Sequence, residues 1–146
     1  MINIDIDLFN EKNEKITKFL ERDERYLASK YVEKSDIVLE LGARYGGVSI
    51  ITNFILDNKK NHVCVEPDER IWNSLEKNKN LHNCQFNILK GVISNKKLGL
   101  TNLDKFHGGY GAFTIEDEKS NIINYSLEEV KKKFNIENFT VLIADC

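Results

Sequence analysis

Short apolar runs alternate along the chain with segments in which apolar residues recur at helical spacing. Four runs fit buried strands, at residues 37–41, 62–66, 85–93 and 139–144. The segments between them fit helices, at residues 48–56, 71–79 and 127–133. Strands that alternate with helices predict a mainly parallel sheet with helices on both faces, an α/β fold with three αβα layers.

Residues 1–34 precede this pattern and differ from it. Apolar side chains recur there at helix-like spacing amid charges of both signs, which predicts an N-terminal segment of one or two amphipathic helices. Residues 35–146 then form the ligand-binding part of the domain. The sequence ends directly after the fourth predicted core strand, so we expect a domain truncated at that point.

A glycine-containing turn joins the first predicted strand to the first helix of the sheet region. Gly42 and Gly46 suit this turn because glycine accepts positive φ and lets a ligand approach the backbone. The N–H groups that open the following helix face the bound group and favour negative charge. Strand, glycine turn and helix in this order predict a nucleotide-binding unit of Rossmann-like type.

Glu66 ends the second predicted strand, about twenty residues after the turn. At that distance a βαβ unit presents a carboxylate to the two ribose hydroxyls of an adenine nucleoside. We therefore predict that Glu66 binds a ribose. The alternative is that Glu66 only ends the strand and caps the helix that follows.

Two ligands suit such a unit, a dinucleotide and S-adenosyl-L-methionine. The dinucleotide fingerprint G-x-G-x-x-G, counted from Gly42, puts Arg44 at the second glycine, where a diphosphate needs room. Glu40, at the carboxyl end of the first strand, would repel a diphosphate but can hold the ammonium group of S-adenosyl-L-methionine. The sequence therefore favours S-adenosyl-L-methionine as the cofactor. The alternative for Glu40 is that it is a solvated acid at the end of a strand and contacts no ligand.

Asp145 closes the fourth predicted strand. Ligands of doubly wound sheets bind beyond the carboxyl ends of the central strands, so Asp145 would lie across the cleft from Glu40. We predict that Asp145 is catalytic, as a base or as an anchor for the acceptor near the transferred methyl group. A strand-end acid without substrate contact is the alternative.

Residues 39–46, of sequence LELGARYG, resemble the first motif of class I S-adenosylmethionine-dependent methyltransferases. Within that class they are similar to the FkbM-type family, whose motif is roughly an acid, any residue, Gly-Ala-Asn, any residue and Gly. Glu40 replaces the commoner Asp of that motif, and Arg44 stands at its Asn. The resemblance continues in the family's order through residues 65–67, 91–94, 126–130 and 141–145.

The resemblance implies a cofactor site built from the first motif and from the ends of the next two strands. Its members would be Glu40, Gly42, Ala43, Arg44, Gly46, Glu66, Pro67, Gly91 and Val92. In this fold the turn at Gly91 passes the edge of the adenine. The implied activity is methyl transfer, and we expect O-methylation of a small hydroxylated or sugar-containing acceptor.

Composition and charge narrow the partners further. The 146 residues carry a formal net charge of −2, which supplies no basic field for a nucleic acid. No apolar run has the length of a membrane span, and the three cysteines suit neither a disulfide framework nor a zinc site. We therefore expect a cytoplasmic protein that binds a small-molecule acceptor and has no metal, nucleic-acid or membrane partner. The sequence leaves the oligomeric state open.

Three other functions stay open at this point. A nicotinamide-dependent oxidoreductase would need its dinucleotide to tolerate Arg44 and Glu40. A non-catalytic binding module would keep the cofactor site without the rest of the domain. A nucleic-acid methyltransferase would need a basic face that these residues do not supply.

Overall fold

The computed structural model describes residues 2–101 and 111–144. Its helices are α1 (Arg22–Tyr31), α2 (Gly47–Ile55), α3 (Trp72–Leu81) and α4 (Leu127–Phe134). Its strands are β1 (Val38–Leu41), β2 (His62–Glu66), β3 (Asn87–Lys90), β4 (Val92–Ile93), β5 (Leu98–Thr101), β6 (Phe113–Glu116), β7 (Asn124–Tyr125) and β8 (Val141–Ala144). Within these two ranges, no helix combines the length and the apolar character that a membrane span requires.

A four-stranded sheet of order β3-β2-β1-β8 forms the centre of the fold, and all of its neighbouring strands are parallel. The order places the first strand in the middle and the later strands on either side, as in one half of a doubly wound sheet. β4 with β7 and β5 with β6 form two further sheets of two strands each. The predicted α/β fold of Rossmann-like type is therefore confirmed.

Apolar side chains cover the central sheet on both faces. On one face, Ile50 of α2 and Leu75 of α3 pack with Cys64 of β2 in a buried cluster. On the other face, Val130 of α4 packs against Leu39 and other residues of the sheet. β1 and β2 are thus buried on both sides, as their mainly apolar sequences predict. β8 is predicted as a buried strand, but as an edge strand it exposes Leu142 and Ala144 on one side.

The third predicted strand, residues 85–93, is wrong as a single element. It divides at Gly91 into β3, which pairs with β2, and β4, which leaves the sheet and pairs with β7. Gly91 has a φ of 151°, and its N–H donates to the carbonyl of Glu66 at 3.2 Å. The break turns the chain across the carboxyl end of β2. The alternation of apolar and polar residues continues through Gly91, so this pattern does not predict the break.

The N-terminal segment forms one helix, α1, where one or two are predicted. Residues 2–21 are mostly irregular, with one bridge between Phe9 and Lys15. This irregular part is nevertheless packed, because Ile6 and Leu8 are buried in the same cluster as Ile50 of α2. Its buried apolar residues therefore make a tertiary contact outside any helix.

Arg25 of α1 holds the irregular segment in place. Its side chain is fully buried, and its guanidinium group donates to the carbonyls of Ile4, Lys18, Leu20 and Glu21 at 2.5 to 3.2 Å. Burial lowers the pKa of Arg25 below its ordinary value, and the neighbouring acid Glu21 opposes that shift. One charged group thus donates to four carbonyl groups outside the regular elements, and the carbonyl of Glu21 also accepts the backbone N–H of Arg25.

We expect Arg25→Ala to lower the free energy of unfolding by more than about 3 kcal/mol, because the carbonyls of Ile4, Lys18 and Leu20 lose their charged donor. The matched control is Arg22→Ala, which removes an arginine of the same helix that pairs with Asp5 at the surface. The control should cost no more than about 1 kcal/mol. Urea unfolding followed by circular dichroism measures both, and equal losses would contradict the anchoring role of Arg25.

Candidate functional site: a cavity at the carboxyl ends of the strands

A cavity of about 740 Å³ opens at the carboxyl ends of β1 and β2. Its walls come from the start of α1, the turn after β1, the turn after β2, β4 and the β5–β6 hairpin. This is the edge at which open α/β sheets bind their ligands. The volume is in the range of pockets that enclose a small molecule.

The carboxylate of Glu66 joins two of these walls. Its Oε2 accepts the N–H of Arg44 at 2.7 Å, and its Oε1 accepts the N–H of Asp68 at 2.8 Å. The side chain is 5% exposed, and burial raises its pKa although both N–H groups favour the charged form. Each carboxylate oxygen keeps a second lone pair, so Glu66 can also accept hydroxyl groups from a ligand in the cavity that it lines.

Glycine residues shape the turn after β1. Gly42 and Gly46 have φ values of 86° and 84°, which residues with a Cβ rarely adopt. Gly42 lines the cavity, whereas a Cβ on Gly46 would lie 2.8 Å from Leu75 Cδ1 in the core. Ala43 is buried in the same core, and its N–H donates to the carbonyl of Val65. Of these three predicted site residues, only Gly42 therefore reaches the cavity wall.

Arg44 lines the cavity from the same turn and is nearly buried. It has a φ of 47°, and its guanidinium group lies over the ring of Tyr45, 5.0 Å from the centroid. Its Nη1 is 3.5 Å from Asp68 Oδ2, which Arg70 also contacts at 2.9 Å. Burial alone would raise the pKa of Asp68, but the bonds and charge of Arg70 and the charge of Arg44 lower it below its usual value.

Glu40 does not line the cavity, although the sequence places it at the carboxyl end of β1. Its side chain points to the face that α2 covers, where Oε1 accepts the hydroxyl of Ser49 at 2.9 Å. Its Oε2 lies 2.8 Å from Nε2 of His62, and both side chains are buried. Side chains alternate along a strand, so Leu41 and not Glu40 reaches the cavity. Contact of Glu40 with an ammonium group therefore stays a prediction.

The turns after β2 and β3 supply further predicted residues. Pro67 and Val92 line the cavity, beside Glu66. Gly91 lies behind them, and a Cβ at this position would come within 2.3 Å of the carbonyl oxygen of Ile123. Asp145, the predicted catalytic residue, lies outside the described residues. Among the residues that the structure does describe, no cluster of His, Cys, Asp and Glu side chains could hold a metal ion.

Sequence reasoning missed two acids of the cavity wall, Glu21 and Glu24. Both belong to the start of α1, where mixed charges predict a solvated helix face. It also missed the apolar wall that Leu98, Leu100 and Phe113 of the β5–β6 hairpin provide. No local signal identifies these residues, because each reaches the cavity through contacts between segments distant in the sequence.

Comparisons with known proteins were made on the whole chain. No protein-family model and no curated protein matches it. Among solved structures, a presumed transferase from Pyrococcus horikoshii is 17% identical over 51% of this chain and 29% of its own, with a TM-score of 0.44. A presumed RNA methyltransferase from the same organism is 21% identical over 59% of this chain and 51% of its own, also with a TM-score of 0.44.

The chain thus spans less than a third of the length of the first neighbour and about half of the length of the second. At such TM-scores the likeness carries no argument about activity. The fold class follows instead from the strand order and register of the chain itself.

We expect Gly91→Ala to destabilise the protein by more than about 2 kcal/mol, because the new Cβ meets a backbone carbonyl at a positive φ. Gly99→Ala is the control, since its nearest contacts would be the side chains of Asp117 and Ser120 at 2.9 to 3.3 Å, not a backbone atom, and Gly99 has no positive φ. The control should cost clearly less stability than Gly91→Ala. Chemical unfolding measures both, and similar values would show that Gly91 is not required by its turn.

The raised pKa of Glu66 predicts a pH dependence of stability. The folded protein binds this proton more tightly than the unfolded chain, so the contribution of Glu66 to stability falls as the pH rises from 4.5 through the raised pKa. Relative to Glu66→Gln, the wild-type protein should lose stability across this window. Unfolding free energies at a series of pH values test this, and a constant difference between the two proteins would contradict it.

Proposed function

We propose that this cavity binds S-adenosyl-L-methionine and that the chain forms the cofactor-binding part of a methyltransferase. One observation carries the proposal: Glu66 ends β2 at the cavity edge and is bonded to the backbone of the glycine turn after β1. In βαβ units, a carboxylate at this position receives the ribose hydroxyls of an adenine nucleoside. The resemblance of residues 39–46 to the first motif of class I methyltransferases supports the same ligand.

The lining of the cavity fits the parts of this cofactor. Glu66 offers lone pairs to the ribose diol, and Val92 and Ile93 with the hairpin offer apolar surface to the adenine. Among the described residues of the lining, Glu21, Glu24, Glu66 and Asp68 carry carboxylates, and Arg44 carries a guanidinium group. S-adenosyl-L-methionine has two positive groups, a sulfonium and an ammonium, and one carboxylate of its own. Its net charge is therefore positive, which an excess of acids in the lining favours.

The same lining disfavours a dinucleotide. A diphosphate would bring two negative charges into a cavity whose described lining residues include more acids than basic groups. Arg44 occupies the position at which the dinucleotide fingerprint requires a glycine for close approach of the diphosphate. Its guanidinium group could attract a phosphate, but it already faces Asp68 and stacks on Tyr45. The nicotinamide-dependent alternative is therefore the weaker one.

When bound, the cofactor would supply a methyl group on a sulfonium: the acceptor oxygen would bond to the methyl carbon as the carbon–sulfur bond breaks, and S-adenosylhomocysteine would leave. Glu66 and the turn residues hold the donor, and correct placement of both reactants contributes on the order of 7–11 kcal/mol to such a step. Asp145, which follows β8, is proposed as the base that takes the acceptor's proton. We further propose an FkbM-type O-methyltransferase that acts on a small hydroxylated or sugar-containing acceptor, which the net charge of −2 favours over nucleic acid.

Isothermal titration calorimetry with S-adenosylmethionine and S-adenosylhomocysteine tests the cofactor. We expect Glu66→Ala to weaken binding by about 10- to 100-fold, because charge-assisted bonds to the ribose are lost. Gly42→Val should abolish binding, since a side chain there enters the cavity at a strained φ. The matched control is Glu118→Ala, an exposed acid outside the cavity lining, which should leave the affinity unchanged.

The folded state of each variant is checked by circular dichroism before titration. Absence of binding to the wild-type protein, or equal affinity in the three variants, would contradict the proposed site. Tighter binding of nicotinamide adenine dinucleotide than of S-adenosylmethionine would favour the oxidoreductase alternative.

A further inference from the structure

The turn from Glu66 to Trp72 joins the end of β2 to α3 and supplies three neighbouring residues of the cavity wall, Glu66, Pro67 and Asp68. Hydrogen bonds within the turn hold its path. The N–H of Asp68 donates to Glu66 Oε1 at 2.8 Å, and the N–H of Ile71 donates to the carbonyl of Asp68 at 3.0 Å. The direction of the Glu66 carboxylate therefore depends on how the whole turn is held.

Trp72 closes this turn from its far end. It is the first residue of α3, its side chain is half-buried, and its indole N–H donates to the main-chain carbonyl of Glu66 at 2.8 Å. The N–H of Gly91 donates to the same carbonyl at 3.2 Å. Because Pro67 has no N–H, this carbonyl is the one hydrogen-bonding group of the peptide unit that follows Glu66. The two bonds therefore fix the peptide unit beside the carboxylate.

Trp72 does not line the cavity itself, so any effect on a bound ligand would be indirect. The ammonium group of Lys90 lies over its ring, 5.3 Å from the centroid. A side chain that only filled space would need the apolar ring system alone. The bond to Glu66 uses the polar atom of the indole, which points to a role for the N–H as well as for the ring.

We propose that Trp72 is a positioning residue of the nucleoside site: its indole N–H holds the end of β2 so that the Glu66 carboxylate faces the two ribose hydroxyls. The inference rests on the proposed function in taking these hydroxyls as the ligands of Glu66. It goes beyond that function because it assigns part of the selectivity for a ribose diol to a residue outside the cavity. Without the N–H, the turn would adopt more orientations, and binding would bear the cost of ordering it.

Trp72 is the only tryptophan of the chain, so biosynthetic replacement of tryptophan changes this one side chain. Benzothienylalanine has sulfur in place of the indole N–H and keeps the shape of the ring system. The matched control is 5-fluorotryptophan, which keeps the N–H. Trp72→Phe is a second variant without the N–H and keeps the test valid if the first fails to fold, which circular dichroism checks.

Calorimetry then compares the affinities of adenosine and of 2′,3′-dideoxyadenosine, which lacks both ribose hydroxyls. The ratio of the two affinities isolates the contribution of the diol. For the wild-type chain we expect a ratio on the order of tenfold or more, because the hydroxyls bond to a charged group. The ratio should fall about threefold or more in both proteins without the N–H and change less than about twofold in the control. Loss of packing alone would weaken both nucleosides together and leave the ratio unchanged.

An unchanged ratio in both proteins without the N–H, or an equal fall in the 5-fluorotryptophan protein, would overturn the inference and leave the proposed function standing. A wild-type ratio near one, or no binding of adenosine to the wild-type chain, would remove the ribose contact of Glu66. The inference and the proposed function would then fail together.

Discussion

The bonds that the Glu66 carboxylate accepts from the N–H groups of Arg44 and Asp68 join two walls of the cavity, the turn after β1 and the turn after β2. The two turns lie side by side because β1 and β2 are neighbours in the sheet. The bonds to Glu66 connect these turns beyond the last ladder bonds of the two strands. Because both donors are backbone groups, the contact depends on the path of the chain and not on the identity of those side chains. A buried carboxylate without them would be strongly unfavourable, so the two turns and the acid require one another.

A second constraint is the alternation of side chains along the central strands. In β1 it sends Glu40 towards α2, where Ser49 and His62 enclose it, and sends Leu41 to the cavity. The acids at the cavity wall therefore come from the end of β2 and from the start of α1. Among the described residues of the cavity wall, carboxylates outnumber basic groups, and this excess is one reason why we propose a cationic nucleoside as the ligand.

The parts of this arrangement that depend on neighbours in sequence could be predicted, and those that depend on distant contacts could not. Apolar runs predict β1, β2 and β8, and the spacing from Gly42 to Glu66 predicts that acid at the sheet edge. The positions of Arg25 and Glu21 depend on how residues 2–21 fold over α2, which no local pattern encodes. The break at Gly91 depends likewise on the carbonyl of Ile123, far along the chain.

The most direct test of the account is a titration of ¹⁵N-labelled protein with S-adenosylhomocysteine, followed by amide chemical shifts. The account predicts that the largest changes fall on the backbone amides of Gly42, Arg44, Asp68 and Val92, which surround the proposed ribose and adenine positions. Amides of residues 57–61, in the turn that precedes the amino end of β2 and so lies at the other end of the strands, should change little. Saturating ligand that leaves the four cavity amides unchanged, or shifts only amides remote from them, would contradict the assignment of this cavity.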